Sequence, residues 1–184
     1  MTGGVSTGVD GLTVRFAQRG DVATILRFIR ELAAYEGLAD QVVADEDGLA
    51  EALFGPVPEA EAFVADLRGE PIGFALFYRT FSTILGRASM HLEDLYVDAA
   101  HRGQGVGRAL LGCLSALAYE RGCGRLEWAV LDGNEAAVAF YERLGARAVD
   151  DLRIFRIAGE GVSELAARFG GRVPSNRPVA PAEP

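Results

Sequence analysis

The stretch "LEDLYVDAAHRGQGVGRALL" (Leu92–Leu111) decides how the rest of the chain is read. It runs from a β-rich segment through a turn holding Gly103, Gly105 and Gly107, then straight into an apolar segment of helical period. Glycine loses more backbone entropy on folding than any other residue, so its repeated use here implies a demand on the backbone itself. A strand, a glycine turn and a helix start together form an anion cradle. Successive N–H groups point outward, and the helix N-terminus adds partial positive charge. Spacing separates the versions of this device. A Walker A loop needs a Gly-Lys pair, and none occurs. A dinucleotide fingerprint needs G-x-G-x-x-G, but the third place is Arg108 counted from Gly103 and Leu110 counted from Gly105. Glu127 stands about twenty residues on, where a ribose-binding acid belongs, yet one acid does not replace a missing glycine.

The chain around this stretch has 184 residues, a length that suits one domain with a substantial core. Its formal charge of −8 argues against nucleic acid, whose binders need a basic footprint, and is equally compatible with a cationic substrate and with solubility alone. No apolar run reaches the roughly 18 to 20 residues of a membrane span. The start, "MTGGVSTGVDG", has neither a basic nor an apolar region of a secretory signal and reads as a flexible lead over 1–11. A cytoplasmic protein is the simplest expectation. Cys113 and Cys123, with two histidines in the whole chain, are too few for a zinc site, so free thiols and no metal are expected.

Period and punctuation supply the elements. "LTVRFA" alternates as a strand, and "GDVATILRFIRELAAYEG" carries an amphipathic stripe with Asp21 as its cap and Gly37 as its stop. "DEDGLAEALFG" is a second, shorter helix. "EAFVADLRGEPIGFALFYRT" reads as a hairpin with a longer turn at Arg68–Pro71. "FSTILGR" is a loop and "ASMHLEDLYV" a strand. Strict alternation in that strand sets His91, Glu93, Leu95 and Val97 on one face and Leu92, Asp94 and Tyr96 on the other. Both faces then mix polar with apolar, which points to a bulge or a functional site. "VGRALLGCLSALAYERG" is a helix, "RLEWAVL" a strand, "NEAAVAFYERLG" a helix capped by Asn134, and "LRIFRIA" a last strand before a short helix around "VSELAARF". The order β-α-α-β-β-β-α-β-α-β implies an α/β (α+β) fold, a mixed sheet flanked by helices, over residues 12–169. Residues 170–184 hold four of the seven prolines and read as a disordered tail.

Arg102-Gly103-Gln104-Gly105-Val106-Gly107 is an [RQ]-x-x-G-x-[GA] element, and it resembles the acetyl-CoA pyrophosphate loop of the GNAT N-acetyltransferases. "NEAAVAFYERLGA", about thirty residues later, is similar to that superfamily's second element. With "IRELAAYEGLADQV", "GFALFY" and "LEDLYV", the chain looks like the spermidine/spermine (diamine) acetyltransferase subfamily, which also acts on thialysine and related small amines. The resemblance implies an acetyl-CoA-dependent N-acetyltransferase of a small cationic primary amine, typically a homodimer. Acetylation of an amino-acid side chain such as thialysine, or of a protein amine, is the alternative. A non-catalytic acyl-CoA-binding module is a third reading.

The chemistry asks for a group that takes the amine's proton, a donor for the oxyanion, and an acid for the departing thiolate. A primary amine of pKa about 10.4 is free in fewer than about 1 in 1,000 molecules at pH 7. By resemblance Glu93 serves the amine through water, with adjacent Asp94 secondary, and Tyr141 is the general acid. The N–H groups of Gly103, Gln104, Gly105, Val106, Gly107 and Arg108 hold the pyrophosphate, with Arg102 and Arg108 adding charge. Leu95, Tyr96 and Val97 offer backbone to the pantetheine as an added strand would, the Leu95 N–H being the oxyanion donor. Asn134 and Ala137 border the same arm. Tyr35, Glu36, Glu127, Trp128 and Ala129 face the acceptor, with carboxylates 36, 93 and 127 forming a negative funnel. One departure stands out: animal polyamine enzymes carry an acid and a Trp in the loop that reads "FSTILGR" here, which favours a shorter amine or an amino acid.

Overall fold

The computed structural model describes residues 5–6 and 8–170. Residues 171–184 of the expected tail, and residues 1–4 and 7 of the expected lead, lie outside those residues, while Val5–Ser6 in the lead forms a short strand against Thr13 and Val14. Two units are distinguished, Met1–Gly145 and Ala146–Pro184.

The first unit is built on a six-stranded sheet whose spatial order follows the chain: β1 (Val5–Ser6), β2 (Leu12–Phe16), β3 (Glu61–Leu67), β4 (Glu70–Ser82), β5 (Arg87–Val97) and β6 (Leu126–Glu127). Every pairing is antiparallel except β5 with β6. Helices α1 (Val22–Tyr35) and α2 (Glu46–Phe54) enclose one core with Val64, Phe74, Leu76 and Tyr96, and α3 (Val106–Glu120) encloses another with Phe63, Ala65, Phe77, Met90 and Leu92. Helix α4 (Glu135–Arg143) follows β6. Sheet residues buried on both faces explain why "AFVA" and "FALF" read as continuous apolar runs rather than alternating ones. Phe28 of α1 stacks on Phe74 at 5.7 Å and is fully buried, a burial that contributes roughly 1.5 to 3 kcal/mol. Among the described residues no helix is long and apolar enough to cross a membrane.

Several local expectations change. The β3–β4 turn is only Arg68-Gly69, with φ of 53° and 91°. Two successive positive φ values suit the right-handed twist of a two-residue hairpin, so the longer turn is not needed. Asp21 does not cap α1 with its side chain. Its carboxylate instead takes Arg15 at 2.7 Å and the Gln18 N–H at 2.7 Å. Arg15 also reaches the buried Asp66 at 2.6 Å, so a guanidinium between two acids won the competition for Asp21. The strand expected over Arg125–Leu131 keeps only Leu126–Glu127, paired with Met90 and His91. Among the described residues β6 has a partner on one side alone, so little holds 128–131 in a ladder.

The described residues of the second unit contain helix α5 (Glu160–Arg168) and no strand. "LRIFRIA" therefore alternates like a strand without being one. A strand needs a neighbour for its N–H and C=O groups, and this unit supplies none among the described residues. Its apolar side chains are left outside, Phe155 being 92% exposed.

Candidate active site

The glycine turn is where the backbone departs most from what other residues accept. Gly103 and Gly105 have φ of 74° and 89°, a left-handed region in which a Cβ is strained. Gly107 has a different reason: a Cβ there would lie 3.3 Å from the Phe140 ring of α4, so the third glycine permits close packing. Val106 is buried beneath the turn and α3 begins at once. Fifteen aligned residues in α3 give the N–H groups of this turn the positive end of a helix dipole. Among the cradle's side chains, Gln104 bonds the Ala100 carbonyl at 3.0 Å, and Arg108 is exposed.

Strand β5 carries the bulge that its mixed pattern implied. Leu76 opposes Asp94 while Phe77 opposes Leu92, so Glu93 is the extra residue. Leu92 and Leu95 consequently both pack on the α3-side core, and the two carboxylates between them leave it. Glu93 is 53% exposed; it accepts from the Tyr78 hydroxyl at 3.2 Å and lies 3.6 Å from His91 Nε2. Asp94 is partly buried, and its carboxylate has no hydrogen bond or ion pair among the described residues. Burial first, then the charges of Glu93 and Glu36, push its pKa from 3.8 up to about 6.

Beyond His91 the second edge of β5 has no strand beside it among the described residues. The Asp98 N–H bonds the Ile72 carbonyl at 2.9 Å, which makes Ile72–Asp98 a hydrogen-bonded pair. Antiparallel alternation then makes Gly73–Val97 and Ala75–Leu95 non-bonded pairs. The N–H and C=O groups of Leu95 and Val97 thus point to the open edge. The Val97 carbonyl there already accepts Arg102 Nε at 3.0 Å and keeps one lone pair. Tyr96 faces the other way: its ring lies 5.5 Å from Phe28 and its hydroxyl donates to Glu31 at 2.8 Å.

Glu36, directly after α1, links the two sides of the site. Burial raises its own pKa, and its charge contributes to the raised values of both Asp94 and Tyr141. Tyr141 is pushed up to about 12, mainly by burial. Its ring lies 4.7 Å from Trp128 and 5.1 Å from Phe140. A cleft of about 350 Å³ opens beside this group, lined by Tyr35, Glu36, Leu131, Asp132, Gly133 and Asn134. A second hollow of about 370 Å³, between Phe16, Leu53 and Phe54, has only Glu61 as a charged wall, and that acid is paired with Arg121. Chemistry therefore favours the cleft at Glu36.

The remaining expected residues fall around it unevenly. Asn134 caps α4 by accepting the Ala137 N–H at 3.2 Å, which commits its carbonyl oxygen and leaves its amide N–H groups. Glu127 is paired with Arg125 at 2.7 Å, so it adds less to the funnel than its charge suggests. Ala129 is exposed. Tyr78, His91 and the weight on Asp94 were missed by sequence reasoning; the mixed faces of "HLEDLYV" were the signal, but only the bulge turns them into one group. Among the described residues no group of three His, Cys, Asp or Glu side chains is arranged to hold a metal.

Residues 29–146 match the family model described as "Acetyltransferase (GNAT) family". The chain is 40% identical over 166 residues to a thialysine N-epsilon-acetyltransferase of Bos taurus, covering 84% of this chain and 97% of that protein. It is 30% identical over 170 residues to the human spermidine/spermine N(1)-acetyltransferase-like protein 1, covering 87% of this chain and 24% of that one. Among solved structures, an integron cassette protein from the mobile metagenome of V. cholerae superposes with a TM-score of 0.72 at 26% identity, over 85% of this chain and 98% of that one. Glycine cradle, open strand edge and family match agree, and the chain belongs to the GNAT family of N-acetyltransferases, which transfer acetyl from acetyl-CoA.

Proposed function

We propose that the chain transfers the acetyl group of acetyl-CoA to a small cationic primary amine held between Glu36, Glu93 and Asp94. The observation that carries this is the carboxyl group at the β5 bulge, electrostatically joined through Glu36 to Tyr141. The cradle N–H groups from Gly103 to Arg108 receive the pyrophosphate, and the free edge of Leu95 and Val97 receives the pantetheine arm. Three acids draw an ammonium ion into the cleft. Direct proton transfer to Asp94 at about 6 from an amine of about 10.4 is uphill by roughly 6 kcal/mol. One proton therefore passes to solvent before attack, leaving a minor neutral amine whose lone pair forms the N–C bond. The nitrogen's basicity then collapses, and its second proton passes to Asp94 or Glu93, directly or through water, and offsets the one that Tyr141 gives up. The Leu95 N–H faces the developing oxyanion, and the Tyr141 phenol protonates the departing thiolate.

A terminal amine on an amino-acid side chain, thialysine-like, is the reading that the 40%-identical relative supports. The diamine reading rests on the acidic cleft itself and on the spermidine/spermine-like relative. Release of free CoA with polyamines, lysine analogues and peptides separates them. Acetyl-CoA binding without acceleration by any amine would leave a non-catalytic acyl-CoA module. A homodimer in the cytoplasm belongs to the same reading. The exposed Ile154, Phe155 and Phe169 support the dimer and the free thiols of Cys113 and Cys123 the compartment. Sedimentation equilibrium showing only monomer at assay concentration counts against the dimer.

A further inference from the structure

We propose that Arg102 is a positioning residue for the acceptor side of the site, not a ligand of the pyrophosphate. The proposal rests on the acetyl-transfer reading above. The Arg102 side chain turns away from the cradle it precedes. Its Nε donates to the Val97 carbonyl at 3.0 Å, and its guanidinium carbon lies 4.6 Å from the Tyr35 ring and 5.7 Å from the Tyr96 ring. Tyr96 is buried and anchored by its bond to Glu31 of α1, which Arg27 holds in turn at 2.9 Å. Tyr35 is the last residue of α1, is 52% exposed, and its hydroxyl has no hydrogen bond among the described residues. The stack on Arg102 is what holds its ring.

One planar cation thus joins three pieces: the open edge of β5, the end of α1, and the start of the glycine turn at Gly103. Glu36 follows Tyr35 directly, and both line the 350 Å³ cleft. Fixing the Tyr35 ring fixes where the Glu36 carboxylate stands relative to Asp94 and Tyr141. Arg102 therefore sets amine recognition from the cofactor's side of the strand. Lysine is no substitute, because the bracket uses a flat face and an Nε donor at once.

The test uses the full chain, with acetyl-CoA affinity read by titration calorimetry and amine KM read at saturating acetyl-CoA. Arg102→Met, Arg102→Lys and Tyr35→Leu are expected to raise the amine KM by about three- to thirty-fold, the range of a cation–π contact. Acetyl-CoA Kd should move less than threefold, which also reports that each variant is folded. Tyr35→Phe keeps the ring and should lie closer to wild type than Tyr35→Leu. The double variant Arg102→Met/Tyr35→Leu should be no worse than the poorer single one, since both break the same contact. A tenfold loss of acetyl-CoA affinity with amine KM unchanged, or fully additive singles, overturns the proposal and returns Arg102 to the pyrophosphate. Should wild-type protein acetylate no amine, the functional reading fails, and the bracket is read instead from NMR of 13C-labelled tyrosine. Tyr35 ring resonances that Arg102→Met leaves unmoved then refute it.

Discussion

Replacing Asp94 by asparagine should make the protein more stable, and only above the pH at which the carboxyl of the unfolded chain ionises. Asp94 sits beside Glu93 and Glu36, and burial with their charges lifts its pKa from 3.8 to about 6. A folded-state pKa above the unfolded one means that the native state binds more protons between those values, so stability falls as pH rises through the window. The rise of about 2.2 pH units, at 1.36 kcal/mol each, corresponds to about 3 kcal/mol as an upper limit, because the carboxyl is only partly buried. Asparagine is nearly the same size and carries no charge. Its advantage should therefore be absent near pH 3.8, grow towards pH 6 and be complete above it. For a chain of this length the full effect is a rise in Tm of roughly 6 to 12 °C. Urea denaturation of both proteins at half-unit steps from pH 4 to 8 measures the difference, with the m-values compared to confirm that the two unfold alike. A difference that is flat with pH, or that shrinks as pH rises, would refute the claim that Asp94 is held among like charges. Turnover should fall in the same variant, a trade of activity for stability usual at such sites.

Arg15→Met should cost about 3 to 5 kcal/mol by leaving Asp21 and the buried Asp66 without their cation. Arg15 lowers the pKa of Asp21, so that share of stability is present at neutral pH and vanishes as pH falls through the lowered value; denaturation at pH 7 and pH 3 should show the gap closing. Gly105→Ala should cost about 1 to 2 kcal/mol from backbone strain at φ 89° and weaken acetyl-CoA binding, both read from one thermal-shift titration; unchanged affinity would detach the turn from the cofactor. Tyr141→Phe should lower kcat by about 10²- to 10⁴-fold with little change in acetyl-CoA Kd. Since the phenol titrates near 12, the shape of the rate profile below pH 10 should survive the change, and loss of an alkaline limb there would show that Tyr141 titrates lower than its burial allows.

Much of the site's chemistry was legible in the chain because it is local. Positive-φ positions at Gly103 and Gly105, the helix that starts behind them and the Asn134 cap all depend on residues within a few places of one another. Continuous apolar runs in β3 and β4 announced a sheet covered on both faces. What tertiary structure alone decided depends on a partner strand or a distant charge. Alternation in "LRIFRIA" is a local signal, but a strand exists only where a neighbour takes its hydrogen bonds, and the described residues of that unit offer none. Glu93 and Asp94 are adjacent in sequence and were expected on opposite faces. The one-residue slip against β4 gathers them, and Glu36, more than fifty residues away, changes what Asp94 is. Arg102 shows the division most sharply: its motif placed it at the cradle, while the rings of Tyr35 and Tyr96 drew its planar cation across the strand. The sequence by itself determined the left-handed glycine turn and the helix that starts behind it. Only folding determined which carboxyl keeps its proton up to about pH 6 and where the arginine points, since both follow from Coulomb and packing forces between residues far apart along the chain.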